Sequence, residues 1–247
     1  MWKLFPDLPR GRFQTIRNGY DPTDFQEPVE PTGKFDIIHT GTLYRSRQPD
    51  IFLEGLTAFL RQVPAAAEHT RVRFFGMSLD LDQSRLARTA GVEVYGWTAH
   101  EDVVRALRES AVLLLLRHFE GWQETTIPGK TYEYLASGNH ILAIQREQRE
   151  LDGILRAYGN ATTLREYQPQ DVARVLTDLY RRWERGRLGR QTPPAFVRRF
   201  SREATAGQLA NLLDRAVESA APGCVPDRPS NRPAWTGGQS LSIETPR

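Results

Sequence analysis

Five consecutive apolar residues, Val112-Leu-Leu-Leu-Leu116, set the strongest constraint on how this chain folds. A strand that is apolar at every position points hydrophobic side chains to both faces of its sheet, so both faces need cover. A central strand of a parallel sheet, with helices packed on either side, meets that need. Shorter runs of similar character stand at residues 35–39, 72–75, 92–95 and 141–144. Between them, apolar residues recur at helical spacing, first at Ile51, Phe52, Leu56, Phe59 and Leu60 and later at Val172, Val175, Leu176 and Leu179. Asp50 is placed to cap the first of these helices, and Thr98 with Glu101 to form a capping box for another. Alternating β and α units of this kind predict an α/β fold, a Rossmann-like doubly wound parallel sheet.

Such sheets bind ligands beyond the carboxyl ends of their strands. Gly41, Gly76, Gly96 and the loop over residues 117–130 all fall there. The segment Ile127-Pro-Gly-Lys130-Thr-Tyr-Glu133-Tyr-Leu-Ala-Ser-Gly138 then reads as the end of a loop, a short helix and a glycine stop before the next strand. A helix start presents backbone N–H groups and a partial positive charge, which favour phosphate. Lys130 adds a full charge there, and Glu133 is placed to accept hydrogen bonds from sugar hydroxyls. Tyr132, Tyr134 and Leu135 read most simply as core. His39, His69, His100 and His140 do not cluster by spacing, so no metal site is assigned.

With 247 residues the chain can bury a sizeable core. Four regions are expected: an irregular entry segment over 1–34, the Rossmann-like domain over 35–187, a basic connection and amphipathic helix over 188–219, and a disordered tail over 220–247. The net charge is only +3, although arginines crowd residues 181–199. Interspersed acids and the lack of an aromatic-basic motif argue against nucleic acid. A solvated face or a peripheral contact with an anionic membrane fits better. The single cysteine, Cys224, rules out a disulfide framework and a cysteine-based metal site. No apolar stretch is long enough to span a bilayer, and Met1 is not followed by a signal-peptide pattern. The expected location is the cytoplasm, with the inner face of the membrane as the place of any lipid contact.

Six landmarks in order carry a resemblance. They are Ile16-Arg-Asn-Gly-Tyr-Asp21, Thr40-Gly-Thr-Leu-Tyr-Arg45-Ser-Arg47-Gln-Pro49, the hydrophobic helix that follows, Val72-Arg-Phe-Phe-Gly76, Gly96-Trp97, and the Pro128–Gly138 segment. Over roughly residues 13–215 the chain resembles the C-terminal, donor-binding half of GT-B-fold glycosyltransferases of the retaining family 4. The resemblance implies a single GT-B C-terminal-type domain that binds a nucleotide-diphosphate sugar and hands its glycosyl group to an acceptor. It implies catalytic roles for Arg45 and Arg47, which would neutralise the diphosphate and stabilise the leaving nucleotide. The family spaces its Arg and Lys further apart, so which arginine points inward stays open. Gly41 would let the backbone approach the phosphates, Lys130 would sit near them, and Glu133 would hold the ribose. Thr125 stands where the family has the first of two glutamates, and Glu120 or Glu124 from the same loop is the candidate substitute. Trp97 either packs beside the base or closes its turn. His118 is either a sugar ligand or a structural histidine.

The relatives generally need no metal, so no cofactor is expected beyond the donor itself. Asp80-Leu-Asp82 reads as helix capping rather than as a magnesium site. The resemblance also implies an acceptor-binding half of comparable size, which residues 1–12 cannot build. A fragment, a split enzyme working with an acceptor-domain protein, and a degenerate remnant all fit that expectation, and the acceptor is unknown. The alternative reading is a non-catalytic nucleotide or nucleotide-sugar binding module. A dinucleotide-dependent dehydrogenase is disfavoured because no G-x-G-x-x-G follows the first strand.

Overall fold

The computed structural model describes residues 7–43, 49–76, 86, 89–117, 126–165 and 168–219. Six strands form one parallel sheet: β1 (Phe35–Thr40), β2 (Thr70–Phe75), β3 (Val92–Tyr95), β4 (Val112–Leu116), β5 (His140–Ile144) and β6 (Ala161–Leu164). Their spatial order is β3-β2-β1-β4-β5-β6. The chain therefore builds outward from β1 in one direction, then returns to its other side and builds outward again. The Rossmann-like doubly wound α/β fold expected from the sequence is the fold observed.

Alternation along the strands supplies both cores. Val112, Leu114 and Leu116 join Phe35, Ile37, Leu142 and Ile144 in one buried cluster. Helices α1 (Pro49–Gln62) and α5 (Pro169–Glu184) cover that face through Phe52, Leu56, Phe59, Val172 and Leu176. Gly55 lets these two helices close, because a Cβ there would lie 2.4 Å from Val172 Cβ. Leu113, Leu115, Ile141 and Ala143 face the other way. They meet α3 (Lys130–Ser137) and α4 (Arg149–Tyr158) through Tyr132, Tyr134, Leu135, Leu151 and Ile154. Helix α2 (His100–Glu109) adds Ala106 against Ile38 and Phe75.

Two capping expectations are corrected. Helix α1 begins at Pro49, so Asp50 lies in its first turn instead of preceding it. No capping box forms at α2, whose cap is Ala99, while Thr98 Oγ1 turns back to donate to the Gly96 carbonyl at 3.3 Å. The acidic first turn of α2, Glu101 and Asp102, still complements the positive end of the helix.

Two compact units are distinguished, Met1–Leu209 and Ala210–Arg247. The sheet and the candidate site belong to the first. The final helix, α6 (Arg202–Ser219), opens with Ser201 Oγ accepting from Ala204 N–H at 3.1 Å. In the second unit, its Leu213 and Val217 are exposed. The expected tail over 220–247 lies outside the described residues. No helix among the described residues is long and apolar enough to cross a membrane.

Candidate functional site

Strand β1 pairs with β4 only through Ile37–Val112 and Ile38–Leu113. Beyond those pairs the two strands part, although β1 stays paired with β2 as far as Thr40 and Phe75. Side chains then take over what the ladder no longer supplies. The Thr40 N–H donates to Tyr134 Oη at 3.0 Å, and the Leu114 carbonyl accepts from the His39 ring at 2.8 Å. Tyr134 and His39 are both wholly buried. This opening in the middle of the sheet, at the carboxyl ends of β1 and β4, is the point where the winding reverses. In doubly wound folds that is where ligands bind.

Lys130 stands over the opening. Its Nζ is 3.1 Å from His39 Nε2 and also donates to the Thr40 carbonyl. The Leu114 carbonyl can only accept, so His39 carries its proton on Nδ1 and turns a lone pair toward the ammonium. Gly41 follows with φ +91°, and a Cβ there would come within 3.1 Å of Lys130 Nζ. Gly76, at the end of β2, has φ +121°, and a Cβ would press to 2.8 Å on the backbone of Gly41. The two glycines thus keep the strand ends thin where the lysine lies across them. Arg117 closes the end of β4, buried, with its N–H on the Ile144 carbonyl at 3.3 Å.

Helix α3 starts at Lys130 with no side-chain hydrogen bond from its cap, Gly129, and Glu133 is the acid of its first turn. It stops at Gly138, whose φ of +80° is the left-handed conformation expected of a C-terminal glycine. One turn in, Glu133 is half-buried. Burial raises its carboxyl above the usual range, against the opposing pull of His100, while Asp24 pushes it further the same way. His100 itself bonds Asp24 through Nε2 at 2.9 Å.

The Asn18-Gly19 segment, noted in the sequence for its order alone, is fixed at the front of this helix. Tyr20 N–H donates to the Phe200 carbonyl at 3.0 Å, and Arg202 N–H to the Tyr20 carbonyl at 2.9 Å. A Cβ on Gly19 would fall 2.3 Å from the Phe200 carbonyl oxygen, so only glycine allows the approach. Asn18 in turn reaches Gly129, where a Cβ would sit 2.9 Å from Asn18 Nδ2.

Of the residues singled out from sequence, the structure gathers Gly41 and Lys130 around one strand end, with Glu133 on the same helix as the lysine. Trp97 lies beyond β3 and is 86% exposed. Arg45, Arg47, His118, Glu120, Glu124 and Thr125 lie outside the described residues, as does Asp80-Leu-Asp82. His39 has no role in the sequence analysis beyond not clustering with other histidines; an ionisable residue within an apolar strand, two residues before Gly41, is the signal that points to a buried partner. Among the described residues, no three His, Cys, Asp or Glu side chains gather into a metal-binding group.

No protein-family model matches the sequence, and no curated protein matches it. Solved structures do match. HepE of Anabaena, in complex with UDP, aligns with a TM-score of 0.62 at 15% identity, over 82% of this chain and 57% of that one. WaaG, a glycosyltransferase involved in lipopolysaccharide biosynthesis, aligns at 0.59 and 14% identity, over 88% and 58%. The C-terminal domain of LpcC, a group 1 family glycosyl transferase from Francisella tularensis, aligns at 0.51 and 16% identity, over 71% and 94%. At such identities the likeness is one of fold: the chain has the Rossmann-like architecture of GT-B glycosyltransferase domains. It spans 57% of the length of HepE.

Proposed function

We propose that this chain binds a nucleotide-diphosphate sugar at the opening between β1 and β4 and serves as the donor domain of a glycosyltransferase. The observation that carries the reading is the Lys130 ammonium held over the thin glycine end of β1, at the uncapped start of α3. A cation, a helix start and a close backbone approach suit a diphosphate. The Glu133 carboxylate, one turn along, accepts the ribose hydroxyls. Trp97 offers an exposed ring for the base. HepE, which shares the fold, has also been solved with UDP-glucose, at 15% identity to this chain.

In transfer, the acceptor's nucleophilic atom bonds to the anomeric carbon and gives up its proton, while the bond from that carbon to the diphosphate oxygen breaks and its electron pair goes to the leaving phosphate. Lys130 and the α3 dipole stabilise that growing charge, as fixed dipoles and cations do in an enclosed cleft. Following the resemblance, Arg45 and Arg47 complete the neutralisation, His118 and Glu120 attend the sugar, the anomeric configuration is retained and no metal takes part. The acceptor is unassigned.

Calorimetry of the full chain with UDP, GDP, ADP and their sugars tests the reading. Saturable binding of one of these nucleotides, weakened by Glu133→Ala, is expected. Absence of binding to all of them overturns the proposal. Binding without donor hydrolysis or transfer to any acceptor would leave a nucleotide-sugar binding module in place of an enzyme part.

A further inference from the structure

A cavity of about 400 Å3 shares no wall residue with Gly41, Lys130 and Glu133. Three stretches of chain wall it: the segment before Gly19 with Arg17, the front of α4 with Arg149, and the turn Ala195–Phe200 with Arg199. The start of α6 adds Thr205 and Gln208. None of these is a residue of the candidate nucleotide-sugar site.

Three guanidiniums face this space against one carboxylate, that of Glu150, which is taken by an ion pair with Arg17. Neither Arg149 nor Arg199 meets a carboxylate among the described residues. Arg199 is instead held over aromatic rings, with its Cζ 4.7 Å from the centroid of Phe200 and 5.3 Å from that of Phe196. A cation–π contact of this kind orients the exposed side chain along the cavity wall. Like charges drawn together from three segments repel each other, and a ligand that brings anionic oxygens relieves that repulsion. Guanidinium is the side chain best shaped to take two such oxygens at once. Phe200 and Ile154 give the same cavity an apolar flank, which suits a phosphate carried on an organic body.

We infer that this cavity is a second anion site, one that takes a phosphate-bearing ligand, whether a free phosphorylated compound or the headgroup of an acidic phospholipid. Arg149 and Arg199 grip the phosphate, and Thr205 and Gln208 supply neutral hydrogen bonds.

The test uses the full chain, titrated with inorganic pyrophosphate in a calorimeter and floated with phosphatidylcholine vesicles with and without phosphatidic acid. Lys130→Ala serves as background to silence the nucleotide site. Binding should persist in Lys130→Ala and fall about tenfold or more when Arg149→Ala is added, the scale of one charge-assisted contact. Arg199→Gln is the second variant; both arginines are exposed, so neither change disturbs the core. Pyrophosphate binding with this pattern identifies a free phosphate, and binding only to vesicles containing phosphatidic acid identifies a headgroup. No binding of either probe, loss of all binding in Lys130→Ala, or binding indifferent to both arginine changes overturns the inference.

Discussion

The ammonium of Lys130 rests 3.1 Å from Nε2 of His39, a ring that is fully buried and anchored by its other nitrogen to the Leu114 carbonyl. A flexible lysine is thereby tied to the floor of the sheet. An ammonium held in place before the ligand arrives loses less rotamer freedom on binding. Replacing Lys130 by Met should lower affinity for a nucleoside diphosphate by about tenfold or more, with a smaller loss of stability from the Thr40 carbonyl and His39 Nε2 that the ammonium leaves. Replacing His39 by Phe should do the reverse in proportion: a loss of about 1–3 kcal/mol of stability from the abandoned Leu114 carbonyl, with a smaller loss of affinity. Calorimetry and urea unfolding of the two variants side by side separate these effects. Equal binding loss in both, with no loss of stability in the histidine variant, would contradict the anchoring role.

If Glu133 holds the ribose as proposed, nucleotide binding should weaken in acid. Burial raises its carboxyl above the ordinary 4.5, so in the free protein it takes up a proton earlier on acidification than a surface glutamate does. Only the carboxylate accepts from both ribose hydroxyls, so affinity should be full near neutrality and decline as the pH falls through that raised value. Glu133→Gln should bind more weakly at neutral pH and show a flatter profile. A wild-type profile that is flat above pH 4.5 would count against the ribose role.

His140 carries a separate acid sensitivity, of the fold itself. It opens β5, donates through Nδ1 to Asn160 Oδ1 at 2.9 Å and accepts from Thr162 Oγ1 at 3.0 Å. Burial pushes it down to about 4 from its ordinary 6.5. Above that ordinary value the imidazole is neutral in both folded and unfolded chains. Below it the unfolded chain takes up the proton and the folded one resists, so stability drains away as the pH falls from 6.5 toward 4. The full loss is about 3 kcal/mol. Urea midpoints measured across that interval should fall less steeply for His140→Gln than for the wild type, and parallel slopes would refute the assignment.

The sheet was legible because its strands announce themselves by apolar content and, for β1, β2 and β3, by the glycines that follow them. Val112–Leu116 is apolar throughout, as a strand covered on both faces must be. Asp36 hid inside a similar run. It is fully buried on β1 because Arg71 and Arg73, on the neighbouring strand, both bond its carboxylate. That pairing depends on register, which no single stretch of sequence displays. Lys130 and Glu133 were found because a helix start is a local pattern. His39 and Asn18 were not given their places because their partners, Lys130 and Gly129, stand far along the chain. The capping box at Thr98 failed for a related reason: the turn after β3 draws the threonine hydroxyl back to Gly96 before the helix begins.

The parting of β1 and β4 after Ile38 has a further consequence. The amide of Thr40 owes its protection to the hydroxyl of Tyr134, a residue of the very helix that begins with Lys130. Its exchange with solvent deuterium therefore reports on how firmly that helix is seated, whereas the amides of β2 and β5 report on the sheet. One backbone proton becomes a gauge: a molecule that settles against the front of α3 should slow the exchange of Thr40 and leave the rest of the ladder ticking at its former rate.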